Sequence, residues 1–198
     1  MLPRFYPIVP HAGWVERLAR LGVKLIQLRM KDTPAASIAP EIVRSLRVCR
    51  QLDCVLVVND FWREAIDYGA SFVHLGQGDL DTADTDAIRR AGLRLGISTH
   101  SHDELDRALS EDPDYVALGP IYETKLKVMP WAPQGLARIS EWKALAKRPL
   151  VAIGGITLER APLVFEAGAD SIAVVSDVVA HPDPEQRTLD WLRASNGV

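Results

Sequence analysis

The chain lacks several things that would point away from a buried-core enzyme. No apolar run is long enough to cross a bilayer, and no stretch is low in complexity or reads as an interdomain linker. At the N-terminus, Pro and Arg stand where a signal peptide would carry its apolar core, so a cytoplasmic protein is expected. Only two cysteines occur, Cys49 and Cys54, and their spacing is neither CxxC nor that of a zinc cluster, so reduced thiols are expected. There is no excess of one charge: 26 acids against 23 bases give −3, which offers nucleic acid and anionic membranes no footprint. No Ser-His-Asp set and no cysteine nucleophile can be picked out. The first strand is not followed by a dinucleotide-type glycine loop, which argues against an open doubly wound sheet.

What is present is an alternation. Apolar β-type runs at 5–9, 24–28, 54–58, 71–75, 93–97, 114–118, 149–153 and 171–175 are separated by amphipathic stretches. Helices are expected over 14–20, 34–52, 61–69, 84–91, 102–109, 136–145, 158–167 and 185–193. Ser101 with Glu104 forms a capping-box signature, and Gly69, Gly92 and Gly168 are stop signals. Eight βα units in 198 residues predict an α/β fold: one (β/α)8 TIM barrel of the phosphate-binding type, spanning residues 1–198.

In that fold, function gathers at the C-terminal ends of the strands. Those ends are polar here. The second strand leads through Gln27, Arg29 and Lys31, with Leu28 and Met30 on the opposite face by alternation. The third ends in Asn59 and Asp60. The fourth runs into Gly76, Gln77 and Asp79, and the fifth ends in Ser98 and His100. The sixth opens a long loop, residues 119–134, that carries Thr124, Lys125 and Lys127. It has three prolines and no period, and loops of this length usually carry function. The seventh ends in Gly154–Gly155 and the eighth in Ser176. His74 reads as a satisfied core or wall residue, and His100 and His102 as surface loop residues rather than metal ligands.

Cations, hydroxyl donors and a Gly-Gly turn suit phosphate oxygens. Carboxylates beside phosphates look wrong, because like charges about 4 Å apart cost on the order of 4 kcal/mol at an effective dielectric of 20. A bridging cation reverses the sign. Mg²⁺ is the natural choice, since it is held by one or two carboxylates together with phosphate oxygens. The expectation is a metal-bound pyrophosphate near strands two to four and a second phosphate near strands seven and eight.

These segments, in this order, resemble the thiamine phosphate synthase family over nearly the whole chain. Gln27–Lys31 (QLRMK) resembles its QLR-x-K segment, which implies substrate contacts from Gln27, Leu28, Arg29, Met30 and Lys31. VVND and HLGQGD resemble its metal motifs, implying Mg²⁺ on Asp60 and Asp79 and substrate contact from Asn59. GISTH resembles the segment that supplies Ser98. GPIYETKLK resembles the long-loop motif, with Thr124, Lys125, Leu126 and Lys127. AIGGI and AVVS resemble phosphate turns, with Gly155, Val175 and Ser176. Arg29, Lys31, Lys127 and Ser98 would carry the charge chemistry. The implied reaction joins a pyrimidine pyrophosphate to a thiazole phosphate, by pyrophosphate loss and capture of the resulting cation. Two departures stand out: Leu126 replaces a usual Thr, and Phe61 replaces a usual Arg, the latter read as a packing change. A thiazole tautomerase, or a non-catalytic barrel of the same superfamily, is the alternative. Small molecules are the expected partners, with no nucleic acid and no membrane, and a homo-oligomer is left open.

Overall fold

The computed structural model describes residues 1–124 and 131–196, and side chains through 195. Eight parallel strands close on themselves in chain order: β1 (Phe5–Val9), β2 (Leu25–Leu28), β3 (Val55–Asn59), β4 (Phe72–Leu75), β5 (Arg94–Thr99), β6 (Tyr115–Leu118), β7 (Leu150–Ile153) and β8 (Ser171–Val174). β8 pairs with β1 through Tyr6 and Ala173, which completes the ring and leaves no sheet edge. Around it run α1 (Ala12–Arg20), α2 (Ala35–Gln51), α3 (Trp62–Asp67), α4 (Thr85–Arg90), α5 (His102–Ser110), α6 (Gly135–Ala146), α7 (Ala161–Glu166), α8 (Ser176–Val179) and α9 (Pro184–Asn196). The eight expected strands are all present, shifted by at most two residues.

The helices differ more, each for a local reason. The expected helix over 158–167 splits into a 3-10 turn, Leu158–Arg160, and the short α7. α8 was not foreseen, because four residues carry no readable period. α5 does begin at the Ser101 cap: its hydroxyl accepts from the Glu104 amide at 3.3 Å, while the Glu104 carboxylate accepts from the His100 amide at 2.7 Å. Asp84 caps α4 through the Ala87 amide at 2.7 Å.

Strand alternation sorts the apolar side chains into two cores. Ile26, Leu28, Val58, Val73, Leu75, Ile97, Leu118 and Ile172 point outward and pack beneath the helices. Tyr6, Ile8, Leu25, Val57, Phe72, Tyr115, Val151 and Ala173 point inward and fill the barrel. The outer core is sealed by the two fully buried tryptophans. Trp142 donates to Thr99 Oγ1 at 2.8 Å, and Trp191 stacks on Phe5 at 5.4 Å between ring centroids. Phe61 packs against this outer core, as a packing residue should. Cys49 and Cys54 are free thiols. Among the described residues no helix is long and apolar enough to cross a membrane.

Candidate active site

A cavity of about 550 Å³ opens at the C-terminal ends of the strands. Parallel pairing puts all eight ends on one side, so residues far apart in sequence line one space. Gln27, Arg29, Asn59, Asp60, Asp79, Ser98, Thr124, Gly155, Val175 and Ser176 all line it. Lys31 is exposed and is not among the lining residues. Leu28 and Met30 face the outer core, as alternation requires, so their side chains do not reach the cavity. Lys125, Leu126 and Lys127 lie outside the described residues.

On the β2–β5 side the site is built from ionisable groups. Asp60 ends β3 in a left-handed conformation, φ 68°, which Asp tolerates better than most residues. Its amide donates to the His74 carbonyl of β4 at 2.9 Å, which ties the bend to the neighbouring strand. Asp79 opens a 3-10 turn after β4, and its Oδ2 accepts from the Gly76 amide at 2.8 Å. The two carboxylates sit side by side. Burial pushes the Asp60 carboxyl up to about 6, and the neighbouring Asp79 charge and hydrogen bond add to this; Arg29 and the Asn59 side chain pull it back. Two carboxylates held together against their repulsion, and open to a cavity that also holds a cation and hydroxyl donors, fit a hard divalent ion completed by phosphate oxygens. Among the described residues no cluster of three or more His, Cys, Asp or Glu side chains is assembled.

On the β7–β8 side the site is built from backbone. Gly154 and Gly155 follow β7 with φ 99° and 63°. A Cβ on Gly154 would lie 2.6 Å from the Pro120 Cα, and one on Gly155 would lie 2.3 Å from the Glu123 carbonyl oxygen. The glycine pair is therefore required by the loop after β6, which presses against it: the Ile121 and Tyr122 amides donate to the Ile153 and Gly154 carbonyls at 2.9 and 3.0 Å. Arg187 of α9 braces this side from behind. It pairs with both Glu159, after β7, and Asp177 of α8, each at 2.9 Å, and Trp191 Nε1 donates to Asp177 at 2.7 Å. The Arg187 guanidinium holds the Glu159 carboxyl down to about 2.

Between the two sides lies a chain of largely buried polar side chains, whose two tyrosines, Tyr6 and Tyr115, are absent from the residues singled out in the sequence. Gln27 Nε2 donates to the Tyr6 hydroxyl at 2.8 Å, and Tyr6 and Tyr115 share a hydrogen bond of 3.0 Å. The Tyr115 hydroxyl lies 2.7 Å from His74 Nδ1, and His74 Nε2 lies 2.8 Å from Ser98 Oγ. His74 is thus a satisfied wall residue. Burial, with the nearby Arg29 charge, pulls its imidazole down to about 4, and burial pushes both phenols up. Gly96 makes room for it: a Cβ there would fall 2.1 Å from the Tyr115 ring. The available signal was parity. Tyr6 and Tyr115 share the inward register with Ile8 and Ala117, and a buried phenol needs a partner. At the mouth, His100 pairs with Glu104 at 2.7 Å and stacks on Trp131, while His102 pairs with Glu141.

The chain as a whole is similar to known proteins. A family model for thiamine monophosphate synthase matches residues 6–178. A thiamine-phosphate synthase of Rhizobium etli is 58% identical over 195 residues, covering 98% of this chain and 96% of that one. Another from Cronobacter sakazakii is 51% identical over 179 residues, covering 90% of this chain and 85% of its own. A solved structure of thiamine phosphate pyrophosphorylase from Pyrococcus furiosus superposes with a TM-score of 0.84 at 27% identity, covering 98% of this chain and 96% of that one. With closed barrel, strand-end carboxylate pair and glycine turn all in place, and with relatives matched nearly end to end, the chain belongs to the thiamine monophosphate synthase family.

Proposed function

We propose that the protein condenses hydroxymethylpyrimidine pyrophosphate with hydroxyethylthiazole phosphate or its carboxylated form, forming thiamine phosphate and releasing pyrophosphate. The observation that carries this reading is the division of one cavity into a carboxylate-and-cation side and a glycine-turn side, each suited to a different phosphate group. Membership of the family and the names of its members support it.

In the reaction a C–O bond to the leaving pyrophosphate breaks, and a C–N bond from the thiazole nitrogen forms. Negative charge grows on the pyrophosphate as the first bond lengthens, so groups aimed at it lower the barrier. Asp60 and Asp79 would hold Mg²⁺, which supplies charge neutralisation to the leaving group when bound. Arg29 adds a fixed positive charge from the end of β2. Ser98 adds a hydrogen bond from β5, and Asn59 orients the Asp60 carboxylate. The turn at Gly154–Gly155 and the start of α8 at Ser176 offer backbone and hydroxyl donors to the thiazole phosphate. They place the nitrogen for attack and exchange no proton. The barrel floor, closed by buried aromatic rings, keeps bulk water from approaching from below.

The test is direct. Purified protein given both phosphorylated halves should release thiamine phosphate and pyrophosphate in equal amounts with Mg²⁺ present, and lose that activity in EDTA. Absence of product with Mg²⁺ would overturn the assignment. Product formation unaffected by EDTA would remove the metal from it.

A further inference from the structure

The buried chain from Gln27 to Ser98 joins residues of β1, β2, β4, β5 and β6, so it spans most of the barrel floor. Each link is of ordinary hydrogen-bond length, and Tyr6, Gln27, His74 and Tyr115 are all buried. These four side chains lie at the bottom of the cavity and are almost wholly buried, so the two phenols place their single hydrogens on neighbours in the chain.

That requirement gives the chain a direction. The Gln27 amide nitrogen can only donate, so the Tyr6 oxygen accepts and its hydrogen goes to the Tyr115 oxygen. Tyr115 in turn gives its hydrogen to His74 Nδ1. The one hydrogen of a neutral imidazole is then on Nε2, where it is donated to Ser98 Oγ. A protonated ring is incompatible with this order: Tyr115 would receive two donors and have no acceptor for its own hydrogen. Having accepted from His74, Ser98 is left with its hydrogen directed into the cavity. The reverse order, starting from a flipped Gln27 amide, would turn Ser98 lone pairs toward the cavity and repel an anion there.

We infer that Gln27, Tyr6, Tyr115 and His74 form a polarised relay that fixes Ser98 as a hydrogen-bond donor to the leaving pyrophosphate. The four are positioning residues acting through Ser98. The identity of the acceptor rests on the synthase reading above; the direction of the chain rests on the Gln27 amide, which turns Nε2 toward Tyr6.

Two measurements test the parts separately. In ¹⁵N-histidine NMR of the free protein, with His74 assigned from the spectrum of His74→Gln, the ring should be the Nε2–H tautomer. Finding Nδ1–H, or an imidazolium, at neutral pH would overturn the direction. Kinetically, Tyr115→Phe should lower kcat roughly 10-fold, with KM for the pyrimidine pyrophosphate nearly unchanged, because the interaction matters as the leaving charge develops. Ser98→Ala should cost more, and Ser98→Ala combined with Tyr115→Phe should be no slower than Ser98→Ala alone. Losses that simply multiply would mean that Tyr115 does not act through Ser98. If Tyr115→Phe does not fold, Tyr6→Phe enters the same cycle, with a smaller single loss and the same non-additivity. Should the wild type make no thiamine phosphate, the synthase reading fails while the tautomer still decides the direction of the relay.

Discussion

The two sides of the cavity handle anions in different ways. On the β2–β5 side, Arg29, Asp60, Asp79 and Ser98 present side chains, with the Asp60 carboxyl raised by burial and by its Asp79 neighbour and Ser98 hydrogen-bonded to His74. On the β7–β8 side, Gly154 and Gly155 present backbone, and the charged groups stand behind it as the Arg187–Glu159–Asp177 brace. The contrast follows from the chemistry proposed for each. A group that departs changes its charge during the reaction, and it is best met by strong, preorganised charges. A phosphate that only anchors keeps its charge, so uniform grip is enough and appears in KM.

The largest effect expected from breaking this contrast is at the carboxylates. Asp60→Ala and Asp79→Ala should each lower turnover on the order of 10³-fold, the equivalent of several kcal/mol of lost charge stabilisation. Circular dichroism should show the barrel retained. An Asp79→Ala enzyme with near-normal turnover would show the two sides to be less different than stated.

Next, Arg29→Ala should reduce kcat about 10²–10³-fold with a smaller rise in KM for the pyrimidine pyrophosphate. A change confined to KM would make Arg29 a docking charge and would blur the division.

On the other side, Gly155→Ala should act mainly through structure. The added Cβ meets the Glu123 carbonyl at 2.3 Å, at a residue with φ 63°. A loss of about 1–3 kcal/mol in denaturant stability is expected, with KM for the thiazole phosphate raised and kcat for the bound complex largely kept. Unchanged thiazole KM in a folded variant would separate the turn from phosphate binding.

The smallest effect sharpens the electrostatics of the first side. Asp60 is raised from 3.8 to about 6 in the folded protein, so the folded state binds the proton more tightly than the unfolded chain. Stability from that site is present below about 3.8 and is lost as pH rises through about 6. Asp60→Asn should therefore raise Tm at about pH 7 by on the order of 2–4 °C, a modest figure because the carboxylate is open to the cavity and screened by solvent. The gain should vanish in acid, and Mg²⁺ should raise the wild-type Tm but not that of the variant. A Tm unchanged or lowered at neutral pH would mean that the carboxylate pair is not strained.

Much of this site can be read from one dimension. Asp60 and Asp79 follow adjacent parallel strands, and any right-handed βαβ unit brings such ends together. The odd-numbered parity of Gln27 and Arg29 points them away from Leu28 and Met30, and the structure keeps that division. Lys31 shares their parity but lies in the bend past Arg29, whose amide makes the last bond to β1, through the Val9 carbonyl, so alternation no longer constrains it. α8 and the 3-10 turn before α7 are too short to leave a pattern.

The sequence by itself determined the eightfold alternation, the closed barrel and the polar rim, because period, turn residues and strand parity are local properties of the chain. Tertiary structure alone decided the partners. The Tyr6–Tyr115 and His74–Ser98 links join residues 109 and 24 positions apart, and they exist only because closure brings five strands around one floor. It also decided why Gly155 is glycine, since the atom that excludes a side chain there belongs to Glu123, on the loop of the preceding βα unit. Which distant group fills a space, and which way a shared hydrogen points, are settled by packing in three dimensions.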